Sequence, residues 1–327
     1  MKDFASNYIV FALFLFFFLS DSIGFAEQWR TFYWDMHYCQ EAIADKGLWQ
    51  LVADFFTQFL ANRWSAALML AVPCTLGSLL LLMLLRPLQQ RWAPKSSRLP
   101  HFIAPLTALI VAFVLLCGNG NQFKGMMCQV EDEDWDSIIG RCEGRKVNNM
   151  LELNMLNLAL AETGQLQKKL MQQPCHDVNS LFVLKIESPY VAALLSDVYW
   201  SMGEISMSQM YAFEANEKLG NLSPRLLKRL VLTNIAFGHY KVAEKYLNWL
   251  DKTLYYRDWS AHYRTLLSDE AVLADATLRL KRACIPAENV FPSAQSVAYD
   301  LQQIIEHNPE HRQSAEYLGA LKRIYNL

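Results

Sequence analysis

Side chains able to hold a metal or act as nucleophiles gather at three places in this 327-residue chain. The acidic run Glu131, Asp132, Glu133, Asp134 and Asp136 offers the clustered oxygens that a hard divalent ion wants. It lacks the glycine and the distal Glu of a calcium loop, and acids at a turn leading into a helix favour the positive end of the helix dipole in any case. Cys175, His176 and Asp177 set a thiol beside a base, but neighbours on a loop seldom converge on one atom. A catalytic thiol also needs a positioned base and an electropositive setting. His307 and His311 have the spacing of a helical metal pair, with Pro309 between them arguing for a turn. No phosphate loop, HExxH, GxSxG or CxxC sequence occurs. The residues therefore assign no catalytic group, no metal and no cofactor, and the chain reads as a non-enzyme sooner than as an enzyme.

Recognition chemistry is the alternative. Tyr199, Trp200, Tyr211, Phe213, Tyr240, Tyr246 and Trp249 are mostly core by spacing. Any not needed for packing would line the concave surface that stacked helical hairpins make, where partner peptides bind. Tyr211 and the basic pair Lys228 and Arg229 are the candidate partner-binding residues. From residue 119 onward the net charge is −3, spread evenly, which leaves no nucleic-acid footprint.

The elements that must position these groups fall into two expected domains, a membrane domain over residues 1–118 and an extramembrane domain over 119–327. Trp64 to Leu85 is 22 residues without a formal charge, and Leu99 to Cys117 is 19 more. At about 1.5 Å per residue each is long enough for a transmembrane helix. Residues 4–26 are either a third spanning helix or a cleaved signal peptide; Lys2, the apolar run Tyr8–Leu19 and the small residues near Ala26 fit both. The loop 86–98 carries Arg86, Arg91, Lys95 and Arg98 and no acid, which places it in the cytoplasm of a bacterium. The N-terminus is then cytoplasmic and the C-terminal domain periplasmic, with the inner-membrane bilayer as a partner. Residues 48–60 carry Gln50, Asp54 and Gln58 four apart, one polar face of an interfacial helix. Of seven cysteines, Cys39, Cys128, Cys142, Cys175 and Cys284 lie where disulfides could form in that topology; their odd number leaves at least one unpaired within the chain.

Apolar spacing is helical throughout the C-terminal part. Gly164, Gly203 and Gly238, each followed two residues later by an apolar residue, are 39 and 35 apart, close to the period of a tetratricopeptide repeat. Around Gly203, Leu195, Ser196 and Tyr199 before the turn and Ser208 and Ala215 after it fall at the expected spacings, and Ala243, five residues after Gly238, is the small residue that lets paired helices touch. Asn149–Ala161, Asp258–Ser268 and Glu270–Cys284 read as helices, and Ile285–Pro292 as a loop. The last helix, after Pro309, has no partner in this pattern, so Tyr317, Leu321 and Ile324 are expected to be partly exposed, and the chain either caps itself here or is shorter than its relatives. The expected class is all-α, with two or three N-terminal transmembrane helices followed by a tetratricopeptide-like α-solenoid.

The run Asn154-Met155-Leu156-Asn157-Leu158-Ala159-Leu160-Ala161-Glu162-Thr163-Gly164, the stretch Leu226-Leu227-Lys228-Arg229-Leu230 through Tyr246-Leu247, Leu254-Tyr255-Tyr256-Arg257 and His307-Asn308-Pro309 carry a resemblance. Over Trp135 to Pro309 the chain resembles a bacterial family of uncharacterised multi-pass membrane proteins with a repeat-like C-terminal half, and is similar to a shortened member. The resemblance implies no catalytic residue. The expected function is a membrane-anchored helical-repeat scaffold binding a protein or envelope component. The alternatives are a subunit of a membrane enzyme or transporter, or a truncated copy without a role.

Overall fold

The computed structural model describes residues 25–62, 65–66, 69, 121–185, 188–286 and 297–326. Helix α1 (Phe25–Trp29) leads into a hairpin of α2 (Met36–Lys46) and α3 (Leu48–Thr57), closed by a 3-10 turn over Gln58–Ala61. Then come α4 (Asn121–Glu131), α5 (Trp135–Cys142), α6 (Met150–Glu162), and the short α7 (Leu166–Lys169) and α8 (Val178–Leu181). The long helices α9 (Pro189–Met202), α10 (Ile205–Lys218), α11 (Pro224–Ala236) and α12 (Tyr240–Leu250) follow. Helices α13 (Arg257–Arg264), α14 (Asp269–Ala274), α15 (Ala276–Ala283), α16 (Val297–His307) and α17 (Arg312–Ile324) end the chain. Among the described residues there are seventeen α-helices and no strand. The chain divides into two compact units, one of residues 1–27 and 59–128, the other of residues 28–58 and 129–327. In the first, the Ser65 hydroxyl donates to the carbonyls of Phe59 and Asn62.

The second unit is punctuated by short polar residues at helix starts and glycines at helix ends. Asp35, Asp134, Asn149, Asp177, Ser188, Ser268 and Asp275 each accept a bond from an otherwise orphaned amide of the helix that follows. Asp134 and Asp177 belong to two of the clusters with metal or nucleophile chemistry, and here they act as caps. Asp275 also breaks the expected helix 270–284 into α14 and α15. Gly164, Gly203, Gly220 and Gly238 all take positive φ. At each, the following amide reaches back to a carbonyl five residues earlier: Gln165 to Leu160, Glu204 to Tyr199, Asn221 to Asn216 and His239 to Asn234. That bond pattern, with left-handed backbone at the glycine, is the Schellman stop, and it turns the chain back sharply.

Each sharp turn brings neighbouring helices into contact, so α9, α10, α11, α12 and α13 pack in sequence order. Where α9 meets α10, the hydroxyls of Ser196 and Ser208 each donate to the other residue's carbonyl at 2.8 Å. A larger side chain at either position would push the helices apart. One core joins the N-terminal hairpin to this array: Phe32, Tyr33 and Tyr38 pack with Leu227, Val231, Ile235, Leu247, Leu250, Val272 and Leu278.

Two parts of the expected class are corrected. No helix among the described residues is long and apolar enough to cross a membrane. The longest have 14 residues, about 21 Å at the standard rise. The expected spans 4–26, 64–85 and 99–117 lie outside the described residues, apart from positions 25–26, 65–66 and 69. Nor is the C-terminal part an open stack with an orphan last helix. Helix α17 returns to pack against α6, α7 and α9, far upstream in the chain. Gln313 donates to Glu162 at 2.8 Å, the Gln167 amide donates to Glu316 at 2.9 Å, and the Ser314 hydroxyl donates to the Met202 carbonyl at 2.7 Å. Tyr317 and Leu321 are buried, and only Ile324 of the three expected residues keeps partial exposure.

That closure predicts a large effect from one truncation. Tyr317→Ala should cost about 3–5 kcal/mol, the range for emptying a buried aromatic site, read from the denaturant midpoint. On an exposed orphan helix the same change would cost well under 1 kcal/mol.

Candidate functional site

Helix α9 is apolar along nearly its whole length, PYVAALLSDVYWSM, with one charge, Asp197. A buried carboxylate needs cations and hydrogen bonds. Helix α11 supplies both on one face, since Arg225, Lys228 and Arg229 are three and four residues apart. Arg225 donates through Nη2 to Asp197 at 2.6 Å, and Arg229 donates through Nη2 to the other oxygen at 2.8 Å. Arg225 is nearly inaccessible, and its remaining valences go elsewhere: Nη1 to Gln28 at 2.8 Å and Nε toward Glu131 at 3.3 Å. Lys228 pairs with the second oxygen of Glu131. Burial pushes the Asp197 carboxyl upward, and the two guanidiniums outweigh it, so the group is held below the ordinary carboxylate range.

Aromatic faces carry the same cations. The Arg225 guanidinium lies 5.1 Å from the Trp29 ring centre and that of Arg229 lies 4.7 Å from Trp200. The Lys228 ammonium is 5.4 Å from Tyr256 and 5.8 Å from Trp259. The quadrupole of each ring favours the cation, more so where water is excluded.

Lys281 on α15 extends the network. Its ammonium donates to the last carbonyls of α9, Trp200 at 2.6 Å and Ser201 at 3.3 Å, and to His311 Nε2 at 2.9 Å. Burial lowers the Lys281 ammonium to about 8. Burial and then the Lys281 charge lower His311 to about 3, so its imidazole is neutral at pH 7. On the other side of the ring, Nδ1 lies 2.6 Å from Ser314 Oγ and 3.3 Å from the Ser314 amide nitrogen, and the Ser314 hydroxyl donates to the Met202 carbonyl at 2.7 Å.

These groups wall two adjoining cavities of about 290 and 360 Å³ that share Glu131, Glu133, Asp197, Trp200, Arg229 and Thr277. Lys228, Trp259, Tyr263 and Asp275 line only the first, and Glu162, Lys281 and Gln313 only the second. Both signs of charge line the cavities, and Glu131, Asp197, Lys228, Arg229 and Lys281 are already oriented by their partners. The arrangement can hold a ligand carrying both charges, because the donors and acceptors stand in place before anything binds.

Of the candidate partner-binding residues, Lys228 and Arg229 lie together on this cleft. Tyr211 does not: it is buried, with its ring stacked on Tyr199 at 5.3 Å. His307 and His311 do not converge, since His307 Nδ1 bonds to the Gln303 carbonyl and His311 faces Lys281. In the Cys175 cluster the thiol donates to Asp177, and His176 meets the Gln173 carbonyl. All five described cysteines are free thiols, and no group of three metal-ligating side chains occurs among the described residues. Asp197, Arg225 and Lys281 escape a motif search, whereas Trp200 is one of the aromatics that the sequence offers for a binding surface. The signal for Asp197 is its solitude: one acid in a 14-residue apolar helix must meet a cation.

Asp197→Ala removes the counter-charge of Arg229 and leaves Arg225 with Glu131 alone, and should destabilise the fold by about 3–5 kcal/mol, measured by urea denaturation. The pH dependence has a defined sign. Between about pH 6.5 and 3 the unfolded imidazole of His311 takes up a proton and the folded one does not, so its contribution to stability is lost as pH falls through that window. Asp197, held low, adds to the acid loss. Glu204 opposes it: burial and Asp300 raise it to about 7, so the folded state keeps that proton as pH rises from about 4.5 to 7 while the unfolded state gives it up. Stability of the wild type minus that of His311→Gln therefore declines from pH 6.5 to pH 3, and parallel curves would contradict the assignment.

The chain matches the family described as Family of unknown function (DUF6057) over residues 4–124 and 119–322. No curated protein and no solved structure matches it. With nearly the whole length inside the match, this chain belongs to that family of unknown function.

Proposed function

We propose that the chain is a helical binding module that takes a mixed-charge peptide segment of a partner protein into the cleft between α9, α11 and α15. The single observation that supports this most is the pair of adjoining cavities walled by paired Arg, Lys, Asp and Glu side chains, with the cations Lys228, Arg229 and Lys281 laid on indole rings. A ligand of one charge would meet repulsion from half of the wall, whereas a segment with alternating acids and bases finds a complement for each. The aromatic walls add apolar contact for the aliphatic stems of Lys, Arg and Glu. Pre-paired side chains have little rotamer freedom left to lose, so binding costs less ordering.

Thr277 borders both cavities and is exposed at the start of α15, so its replacement does not disturb the core. Purified full chain is tested against an immobilised panel of peptides in which acidic and basic residues alternate. Binding to at least one class of these peptides is expected, weakened by salt and at least about tenfold weaker for Thr277→Trp, which is about 1.4 kcal/mol. Lys322→Trp, on exposed surface of α17, should leave it unchanged. Equal affinity in Thr277→Trp, or no bound member of the panel, overturns the proposal.

A further inference from the structure

The α2–α3 hairpin is built with its polarity reversed. Gln50, Asp54 and Gln58 form one face, and that face turns into the protein. Asp54 is buried, paired with Arg30, and accepts from the Tyr38 hydroxyl at 3.1 Å and from Gln50 at 3.2 Å. Gln58 accepts from the Trp34 indole at 3.3 Å and donates to the Phe55 carbonyl at 2.8 Å. The inward polar face is thus fully engaged.

The outward face is apolar. Trp49 is 85% exposed and Met36 76%, and Trp34, Ile43, Leu48 and Phe56 are each 45% exposed or more. Trp49, Ala53 and Phe56 follow the i, i+4, i+7 stripe of one helical face. The rings of Trp34, Phe55 and Phe56 touch in series, at 6.1 and 5.5 Å between centres, so these three form one continuous aromatic surface. A large apolar side chain kept in water forgoes about 1.5–3 kcal/mol, and a patch of this extent marks a contact surface.

The neighbouring sequence indicates what covers it. Three residues beyond the Gln58–Ala61 turn begins Trp64–Leu85, 22 residues without a charge, followed by Arg86, Arg91, Lys95 and Arg98 with no acid among them. Indoles favour the headgroup level, apolar stripes favour the acyl boundary, and uncompensated cations favour anionic headgroups. We infer that the outward face of the α2–α3 hairpin rests on an anionic phospholipid surface, with Trp49 and Phe56 entering the headgroup and acyl boundary while Asp54 and Gln58 bind the hairpin to its own leading segment, Arg30 and Trp34. This inference is independent of the cleft.

The test is position-resolved, so that it does not depend on how the rest of the chain associates with a vesicle. Full chain is reconstituted into vesicles of equal parts phosphatidylcholine and phosphatidylglycerol. An environment-sensitive fluorescent amino acid replaces Trp49 or Phe56, or Glu41 on the exposed polar side of α2. The expected result is a blue shift and several-fold stronger quenching by brominated lipid at 49 and 56 than at 41. Equal quenching at 41 and 49 overturns the inference. So does protein-concentration-dependent self-quenching at 49 without lipid quenching, which would mean that a second copy covers the face. The fluorophore sits on exposed positions, and an unchanged melting temperature confirms that each labelled chain is folded.

Discussion

A guanidinium taken out of water must find charge and acceptors in the protein, and Arg225 finds them on three separated stretches of chain. Asp197 comes from the middle of α9, Gln28 from the segment before the N-terminal hairpin, and Glu131 from the end of α4. Burying an ion costs several kcal/mol unless such partners arrive together, so the helices and the N-terminal segment are bound to one arrangement. The neighbouring contacts reinforce it: the Ser223 hydroxyl donates to the Gln28 carbonyl at 3.1 Å, and the Tyr33 hydroxyl to that of Leu222 at 2.8 Å. The same Asp197 orients Arg229 at the cleft wall, so the geometry of the cleft follows from a structural charge pair.

Glycine stops and small residues set up the array that this pair locks. Four left-handed turns bring successive helices side by side, and the reciprocal Ser196–Ser208 bonds measure how closely they approach. Closure comes from the other end of the chain. Helix α17 seals α6, α7 and the C-terminal end of α9, while Lys281 caps α9's carbonyls and reaches His311 just before α17. The cleft thus lies between a hairpin array and its own C-terminal closure, which keeps its walls in place.

Much of the local order is legible in residue types. Gly164, Gly203 and Gly238 stand out because side chains with a Cβ rarely enter left-handed backbone, and Asn149 announces a helix start by its short acceptor, whereas Asp177, read as part of a loop, proves to cap a helix of its own. What periodicity cannot carry is the partner of a face. The stripe on α17 shows that Tyr317 has an apolar side to bury, and nothing local says that residues some 150 positions upstream cover it. Gln50, Asp54 and Gln58 were legible as one face, but their direction depends on Tyr38, Arg30 and Trp34, which lie outside that helix. Lys228 and Arg229 were visible as a basic pair, whereas Tyr211 has the same spacing whether it faces a groove or, as here, Tyr199. The uncharged runs 64–85 and 99–117 suggested spanning helices, and the described helices include none of that length.

Arg225 is the tie between the N-terminal segment and the helical array, and hydrogen exchange in the Arg225→Met variant tests this most directly. Replacing the guanidinium by an apolar side chain of similar length removes the hydrogen bond to Gln28 and the ion pair to Glu131 but fills the space. The predicted result is faster amide exchange in residues 28–57 together with residues around Asp197, relative to the wild type, while α6, α7 and α17 keep their protection. Exchange that rises only within α11 itself, with residues 28–57 as protected as before, would contradict the account.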